Sequence, residues 1–269
     1  MEPVVSKIFI YPVKSFDAVE LNEVTIGKRC LLHDREFAVF NQEGKYVNGK
    51  RTPRINELRS LFDMNDYTVI FRVQGESLYE KFNLLDDKAL IENYLSDYFG
   101  YKVFLLRNDE GKFLDLPNDS GITISSESSL RALTDYFPEI NIEQMRLRFR
   151  ANIEFSGTEP FWEDRLFAEP GSIIEFNINE VNLVGFSPRA RCIVPTRDPL
   201  TGITYPRFTK LFSVARKKTL PEWSKLNEYG HFYYLNVDVL IADSESGKTI
   251  RIGDGINIKG RKKLNSIAY

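Results

Sequence analysis

The chain has 269 residues, 42% of them hydrophobic and 28% charged, with a net charge of −2. So even a balance gives no global field toward nucleic acid or anionic lipid, and neither is expected as a partner. The only thiols are Cys30 and Cys192 and the only imidazoles His33 and His231. That inventory excludes a disulfide framework, a cysteine-ligated iron–sulfur cluster held by this chain alone, and any paired zinc-ligand spacing.

Aromatic residues make up 13% of the chain, with 20 Phe and 13 Tyr, a bias toward pleated, half-buried β surfaces. The opening residues 1–15 lack a basic segment followed by a long apolar run. No stretch approaches the ~20 apolar residues of a membrane span. A cytoplasmic, reduced protein with no membrane partner is the expectation.

In chain order, residues 4–11 form an apolar, β-branched strand, and residues 19–26 alternate, with Val19, Leu21, Val24 and Ile26 apolar. Residues 35–40 predict a strand closed by the turn Asn41-Gln-Glu-Gly44. Residues 66–73 and 78–84 flank Gln74-Gly-Glu76 as a hairpin. Residues 87–99 predict a helix with Leu90, Ile91, Tyr94, Leu95 and Tyr98 on one face, stopped by Gly100. A strand over 103–107 follows. The polar stretch 108–121 then marks a boundary between a first domain, 1–113, and a second, 114–269.

In the second domain, residues 122–125 lead into a helix over 127–136 that Ser125, Ser126 or Ser128 can cap. Residues 149–155, 172–176, 180–185 and 235–242 predict strands. Residues 210–217 fit a helical turn or a strand. Residues 248–252 and 256–258 are expected to close the chain as a hairpin around Gly253-Asp-Gly255. The fold class is mainly β with a few helices, in two barrel-rich lobes.

Five clusters carry chemistry. In residues 187–202 a lone Cys192 follows Arg189 and Arg191, and nearby guanidinium groups favour the thiolate, a nucleophile or soft-metal ligand. The same residue type also fills buried strand ends. Tyr11-Pro-Val-Lys-Ser15 puts a lysine and a serine just after an apolar strand. His33-Asp-Arg-Glu-Phe37 has an arginine leading into another. Alternation in Arg148-Phe-Arg-Ala-Asn-Ile153 puts Arg148, Arg150 and Asn152 on one strand face. Phe161-Trp-Glu-Asp164 joins aromatics to acids. Together, Lys14, Arg35, Arg150 and Arg191 are expected to converge on a phosphate-bearing ligand, because guanidinium forks bind phosphate bidentately.

Tyr11-Pro-Val-Lys-Ser15, Asp34-Arg35, residues 125–130, Phe149-Arg-Ala-Asn-Ile153, Arg191-Cys192 with Asp198-Pro-Leu-Thr-Gly202, and Ile252-Gly-Asp254 make the chain resemble the family in which a MOSC N-terminal β-barrel domain precedes a MOSC β-barrel domain, as in the amidoxime-reducing components and their bacterial counterparts. The resemblance spans nearly the whole chain. It implies a molybdenum cofactor (Mo-molybdopterin) with Cys192 as metal ligand and catalytic residue. It implies cofactor-binding roles for Lys14, Ser15, Arg35, Arg150, Asn152 and Arg191, and more weakly for Ser126 and Asn236. The implied reaction is reduction of small N-oxygenated compounds. The alternative is a cofactor carrier or sulfur-transfer protein without its own turnover.

Relative to family members that carry them, no targeting or anchoring extension and no ferredoxin or pyridoxal-phosphate domain is expected. The chain also shows no G-x-G-x-x-G after a strand and no haem-attachment motif. A separate electron donor is therefore expected: a ferredoxin, a flavoprotein or a b-type cytochrome.

Overall fold

The computed structural model describes residues 2–109, 113–114 and 121–264. The first region contains β1 (Val4–Ile10), β2 (Val19–Leu21), β3 (Glu23–Thr25), β4 (Phe37–Asn41), β5 (Leu58–Asp63), β6 (Thr68–Val73), β7 (Glu80–Asn83), α1 (Lys88–Phe99) and β8 (Val103–Arg107). The second contains β9 (Ile122–Ser126), α2 (Glu127–Thr134), α3 (Ile142–Phe149), β10 (Ile153–Ser156), β11 (Ser172–Ile178), β12 (Val181–Ala190), α4 (Phe208–Lys218), β13 (Tyr234–Ile241), β14 (Thr249–Arg251) and β15 (Ile256–Lys263). The expected boundary at 113/114 falls in a stretch of which residues 110–112 and 115–120 lie outside the described residues.

The protein is mainly β, but its described sheets do not close into barrels. The largest is an open eight-stranded sheet in the order β15-β11-β12-β13-β9-β10-β1-β2. All its neighbours are antiparallel except β9 and β10, which α2 and α3 connect. Strand β1 comes from the first region but belongs to this sheet. It pairs with β10, with Ile8 opposite Ile153, and so buries its apolar residues in the second region's core. The first region is left with small sheets, β4–β8 and β5–β6–β7, and with β3, which pairs with β14.

Three apolar clusters follow. One lies against the large sheet, around Ile8, Phe155, Phe176 and Val237. One fills the first region, around Phe37, Phe71, Ile91 and Leu95. The third joins the helices through Phe137, Phe149, Phe208 and Phe212. Each fully buried Phe contributes about 1.5–3 kcal/mol relative to exposure.

Several local expectations hold. The β6–β7 pair forms the hairpin, and the backbone N–H of Gly44 donates to Asn41 O at 3.0 Å in the expected turn. The α1 helix ends at Gly100, whose φ is 79°. Ser126 caps α2 by accepting from the N–H of Ser129. Leu90 departs from the expected face and is exposed. The undecided segment 210–217 is the body of α4.

Two expectations fail. Residues 148–153 are not a strand face: Arg148 lies in α3, and Arg150 ends that helix in the left-handed region at φ 52°. A capping box starts α3, in which the side chain of Asn141 accepts from the N–H of Gln144 and that of Gln144 accepts from the N–H of Asn141. The alternating letters thus span a helix end and a strand start. The terminal hairpin is absent too. The turn at Gly253 passes the chain from one sheet to another, because β14 pairs with β3 and β15 with β11. Ile250 and Ile256 are buried by those separate partners.

Candidate functional site

Two segments of the first region meet where β1 ends. Backbone N–H groups of Lys14, Arg35 and Phe37 donate to the carbonyls of Phe37, Tyr11 and Pro12 at 2.8, 2.7 and 2.9 Å. This zips residues 11–16 to residues 34–37 and sets Ser15 and Arg35 at φ 73° and 52°. With Arg150 they make three left-handed, non-glycine residues at one place. Such backbones are uncommon and gather where the surroundings over-determine them.

The ring of Tyr11 lies between two guanidiniums, 4.1 Å from Arg150 and 4.9 Å from Arg35. Its hydroxyl donates to Ala151 O at 3.1 Å. Burial pushes its phenol up to about 12 despite both cations. Asp34, fully buried, accepts from the N–H of Tyr11 at 2.8 Å and pairs with Arg35. Arg150 Nη2 donates to Phe16 O at 2.7 Å, and Lys14 Nζ to Phe113 O at 2.8 Å.

The second region contributes the end of β12 and the loop after it. Arg191 donates its N–H to Tyr233 O at 3.0 Å and its Nη2 to Phe149 O at 2.9 Å. That carbonyl sits at the C-terminus of α3, where a cation is favoured by the helix dipole. Burial first, and then Arg189, push the Arg191 guanidinium down to about 10, so it remains charged at neutral pH. Its Nε is buried with no hydrogen-bond partner among the described residues. Cys192 is partly exposed, and its Sγ accepts from the N–H of Val194 at 3.5 Å.

The motif from Asp198 to Gly202 shapes this loop. Asp198 Oδ1 accepts from the N–H groups of Leu200 and Thr201, both at 3.0 Å. Gly202 is left-handed at φ +71°, and a Cβ there would lie 2.8 Å from Pro53 O, so only glycine fits. Arg197 donates to Gly49 O, Arg59 to Pro199 O at 3.1 Å, and Asn56 Nδ2 to Asp198 O at 3.3 Å. The loop is strapped across the first region.

One cleft results, lined by Lys14, Ser15, Arg35, Arg150, Arg191 and Cys192 among the residues expected to act together. Three others lie behind it. Asn152 is fully buried, with Oδ1 accepting from the N–H of Thr123 at 3.1 Å and Nδ2 donating to Phe9 O at 3.2 Å. Its Oδ1 also faces Arg35 Nη1 at 3.4 Å, so it positions that arginine from the rear. Asn236, left-handed at φ 70°, donates to Phe149 O at 3.1 Å beside Arg191. Ser126 is committed to capping α2 and does not line the cleft. Glu163 and Asp164 are buried elsewhere, in a network with Ser129 and Arg216.

Sequence reasoning missed Lys50, Arg59 and Thr123 as lining residues, because their segments carry no motif. Arg148, Arg189 and Arg197 were visible beside motifs but had no role assigned. With them, the described residues that line the cleft include nine cationic side chains and one carboxylate, Asp17, itself paired with Arg59. In a chain of net charge −2, this is a local concentration of positive charge. Among the described residues, no three His, Cys, Asp or Glu side chains gather as a metal cluster.

The profile of the MOSC N-terminal beta barrel domain matches residues 2–97, and that of the MOSC domain matches residues 112–257. The chain belongs to the MOSC domain family. This MOSC protein is 25% identical over 249 residues to the molybdenum cofactor sulfurase of Bos taurus, across 74% of this chain and 27% of that one. It thus spans about a quarter of the length of that relative. It is 24% identical over 305 residues to mitochondrial amidoxime-reducing component 1 of Homo sapiens, across 96% of this chain and 83% of that one. Among solved structures, the YUAD protein from Bacillus subtilis aligns over 96% of both chains, at a TM-score of 0.43 and 14% identity. No helix among the described residues is long and apolar enough to cross a membrane.

Proposed function

We propose that this MOSC protein binds a molybdenum–pterin cofactor in the cationic cleft, with the Cys192 thiolate as the metal's protein ligand, and reduces small N-oxygenated compounds. The observation that carries the reading is the meeting of Cys192 with nine cations in one cleft. The residues fit the group. A pterin dithiolene brings its own sulfur donors, so one protein thiolate suffices where the described residues gather no multi-residue metal cluster. Its phosphate needs fixed donors. Arg191 Nε and Thr123 Oγ1 are buried in cleft-lining residues and lack partners among the described residues.

Lys14, Ser15, Arg35 and Arg150 would hold the phosphate and pterin, with Asn152 orienting Arg35 and Tyr11 stacking between the two arginines. Arg191 would place positive charge beside Cys192, where negative charge develops as the N–O bond breaks. When bound, the cofactor supplies two-electron reduction: N–OH plus two electrons and two protons gives N–H and water. The electrons would come from a separate protein: a ferredoxin, a flavoprotein or a b-type cytochrome.

The test is elemental analysis of protein made in a cofactor-competent host, followed by benzamidoxime reduction with dithionite or reduced viologen. About one molybdenum per chain with turnover supports the reading; no molybdenum overturns it. The likeness to molybdenum cofactor sulfurase supports a second reading, a cofactor carrier or sulfur-transfer module. Ready release of cofactor without turnover would select it.

A further inference from the structure

The cleft holds more positive charge than one phosphate monoester can use, and some of it stands apart from the residues assigned to the cofactor. Lys50 lines the cleft and is exposed, and among the described residues its ammonium has no hydrogen-bond or ion-pair partner. Its backbone, in contrast, is fixed. The N–H groups of Lys50 and Arg51 donate to Asn48 Oδ1 at 3.1 and 3.2 Å. Arg197 holds the carbonyl of Gly49 and reaches that of Lys50.

That segment sits against the Cys192 loop. A Cβ on Gly49 would meet Val194 Cγ2 at 3.3 Å, and the N–H of Val194 donates to Cys192 Sγ. Lys50 is therefore anchored one residue from a direct contact with the Cys192 loop, with its charged end unsatisfied. In the same cleft, the side chain of the lining residue Leu147 is 39% exposed. Among the described residues the one lining carboxylate, Asp17, is committed to Arg59 and Ser60, so it does not offset Lys50.

An unpaired ammonium and an exposed apolar side chain in one cleft with Cys192 make a selective mouth. The geometry points to substrates that carry an anionic group, a carboxylate or phosphate, on an apolar body beside the reducible N–O bond, with Lys50 as the specificity-determining residue. This rests on the proposed N-reduction. A neutral N-oxygenated compound would meet only the apolar side chain. An anionic one would gain the ion pair, and a cationic one would be repelled.

The experiment compares benzamidoxime with 4-carboxybenzamidoxime on the molybdenum-loaded protein, and measures binding of both by equilibrium dialysis. The carboxylate is expected to show about tenfold higher kcat/KM, mainly through KM. Lys50→Ala should cut the ratio of the two kcat/KM values about fivefold, as loss of a partly screened ion pair does. Lys50→Arg should restore the ratio, and Lys50→Glu should turn it in favour of the neutral compound. Equal kcat/KM for both compounds, or a ratio indifferent to all three substitutions, overturns the inference and leaves the cofactor reading standing. If neither compound is turned over by loaded protein, N-reduction fails, and dialysis decides the rest. Tighter, Lys50-dependent binding of the carboxylate then supports an anion-selective mouth, and equal binding overturns it.

Discussion

Cys192 and Cys30 show how one residue type divides by surroundings. Cys30 is fully buried in the apolar cluster under the large sheet, whereas Cys192 is partly exposed in a cleft of cations. Cys192→Ser should abolish reduction and change the molybdenum spectrum while leaving the circular dichroism intact, because a hydroxyl is a poor soft-metal ligand of similar volume. A serine variant with unaltered turnover and spectrum would reject the ligand assignment. Glu163 yields a different prediction. Its carboxyl is raised to about 7, by burial first and by Asp164 second, above an unperturbed 4.5. The native state thus holds this proton more tightly than the unfolded chain. The stability it contributes is full below about pH 4.5 and is lost as pH rises through 7, roughly 3 kcal/mol in all. Denaturant titrations of Glu163→Gln at pH 5 and pH 8 should show a smaller loss than in the parent. A residual slope is expected from Glu154, which burial also raises to about 7. An identical slope in parent and variant would reject this account. The cysteine's setting was legible because Arg189 and Arg191 precede it in sequence. The burial of Glu163 was not, since two acids after aromatics read equally well as a site or as a core network.

At the scale of elements, α3 is the instructive case. Its capping box at Asn141 and Gln144 is written in the sequence, but the alternation after it masked where the helix stops. The stop matters, because Arg150 at φ 52° turns its guanidinium across Tyr11 to Phe16 O. A non-glycine residue held there costs about 1 kcal/mol. Arg150→Gly should relieve that strain, so stability holds or rises slightly, while the lost guanidinium lowers cofactor retention about ten- to a hundredfold. Thermal unfolding and molybdenum content after dialysis, measured on one preparation, check the two halves separately. Arg35 was expected inside a strand and instead precedes β4 in the same left-handed region. Residue spacing announced that these arginines belong together. It did not announce that helix ends and turns, rather than strand faces, aim them.

For the whole molecule, the two family domains are less separable than their consecutive matches suggest. Strands β1 and β2 come from the first match yet complete the sheet of the second. A fragment of residues 114–269 would lack them and leave β10 as an unpaired edge, with Ile153 and Phe155 losing cover. Expressed alone, that fragment should aggregate or show poor amide dispersion in NMR spectra, and co-expression with residues 1–113 should restore soluble protein. A well-dispersed spectrum of the lone fragment would show that β1 is dispensable. The mainly β character was legible from strand signals. The pairing of β1 with β10 joins residues that lie far apart in sequence, and no local pattern encodes it.

Several of the cleft's cations donate to carbonyl oxygens, Arg150 to Phe16, Arg191 to Phe149, Arg148 to Pro195 and Arg197 to Gly49, while Arg35, Arg59, Arg148 and Arg189 also pair with carboxylates. A carbonyl dipole aims a cation without cancelling its charge, and among the described residues neither Arg191 nor Arg197 forms an ion pair, so their field reaches outward into solvent. Anions should therefore arrive faster than unaided diffusion delivers them, and ionic strength should throttle that arrival. In stopped-flow mixing, the bimolecular rate of anion capture should fall at least roughly tenfold as salt rises from about 0.01 to about 0.5 M, with the dissociation rate changing much less. Capture would then be fastest in dilute media and slowest where other anions crowd the mouth.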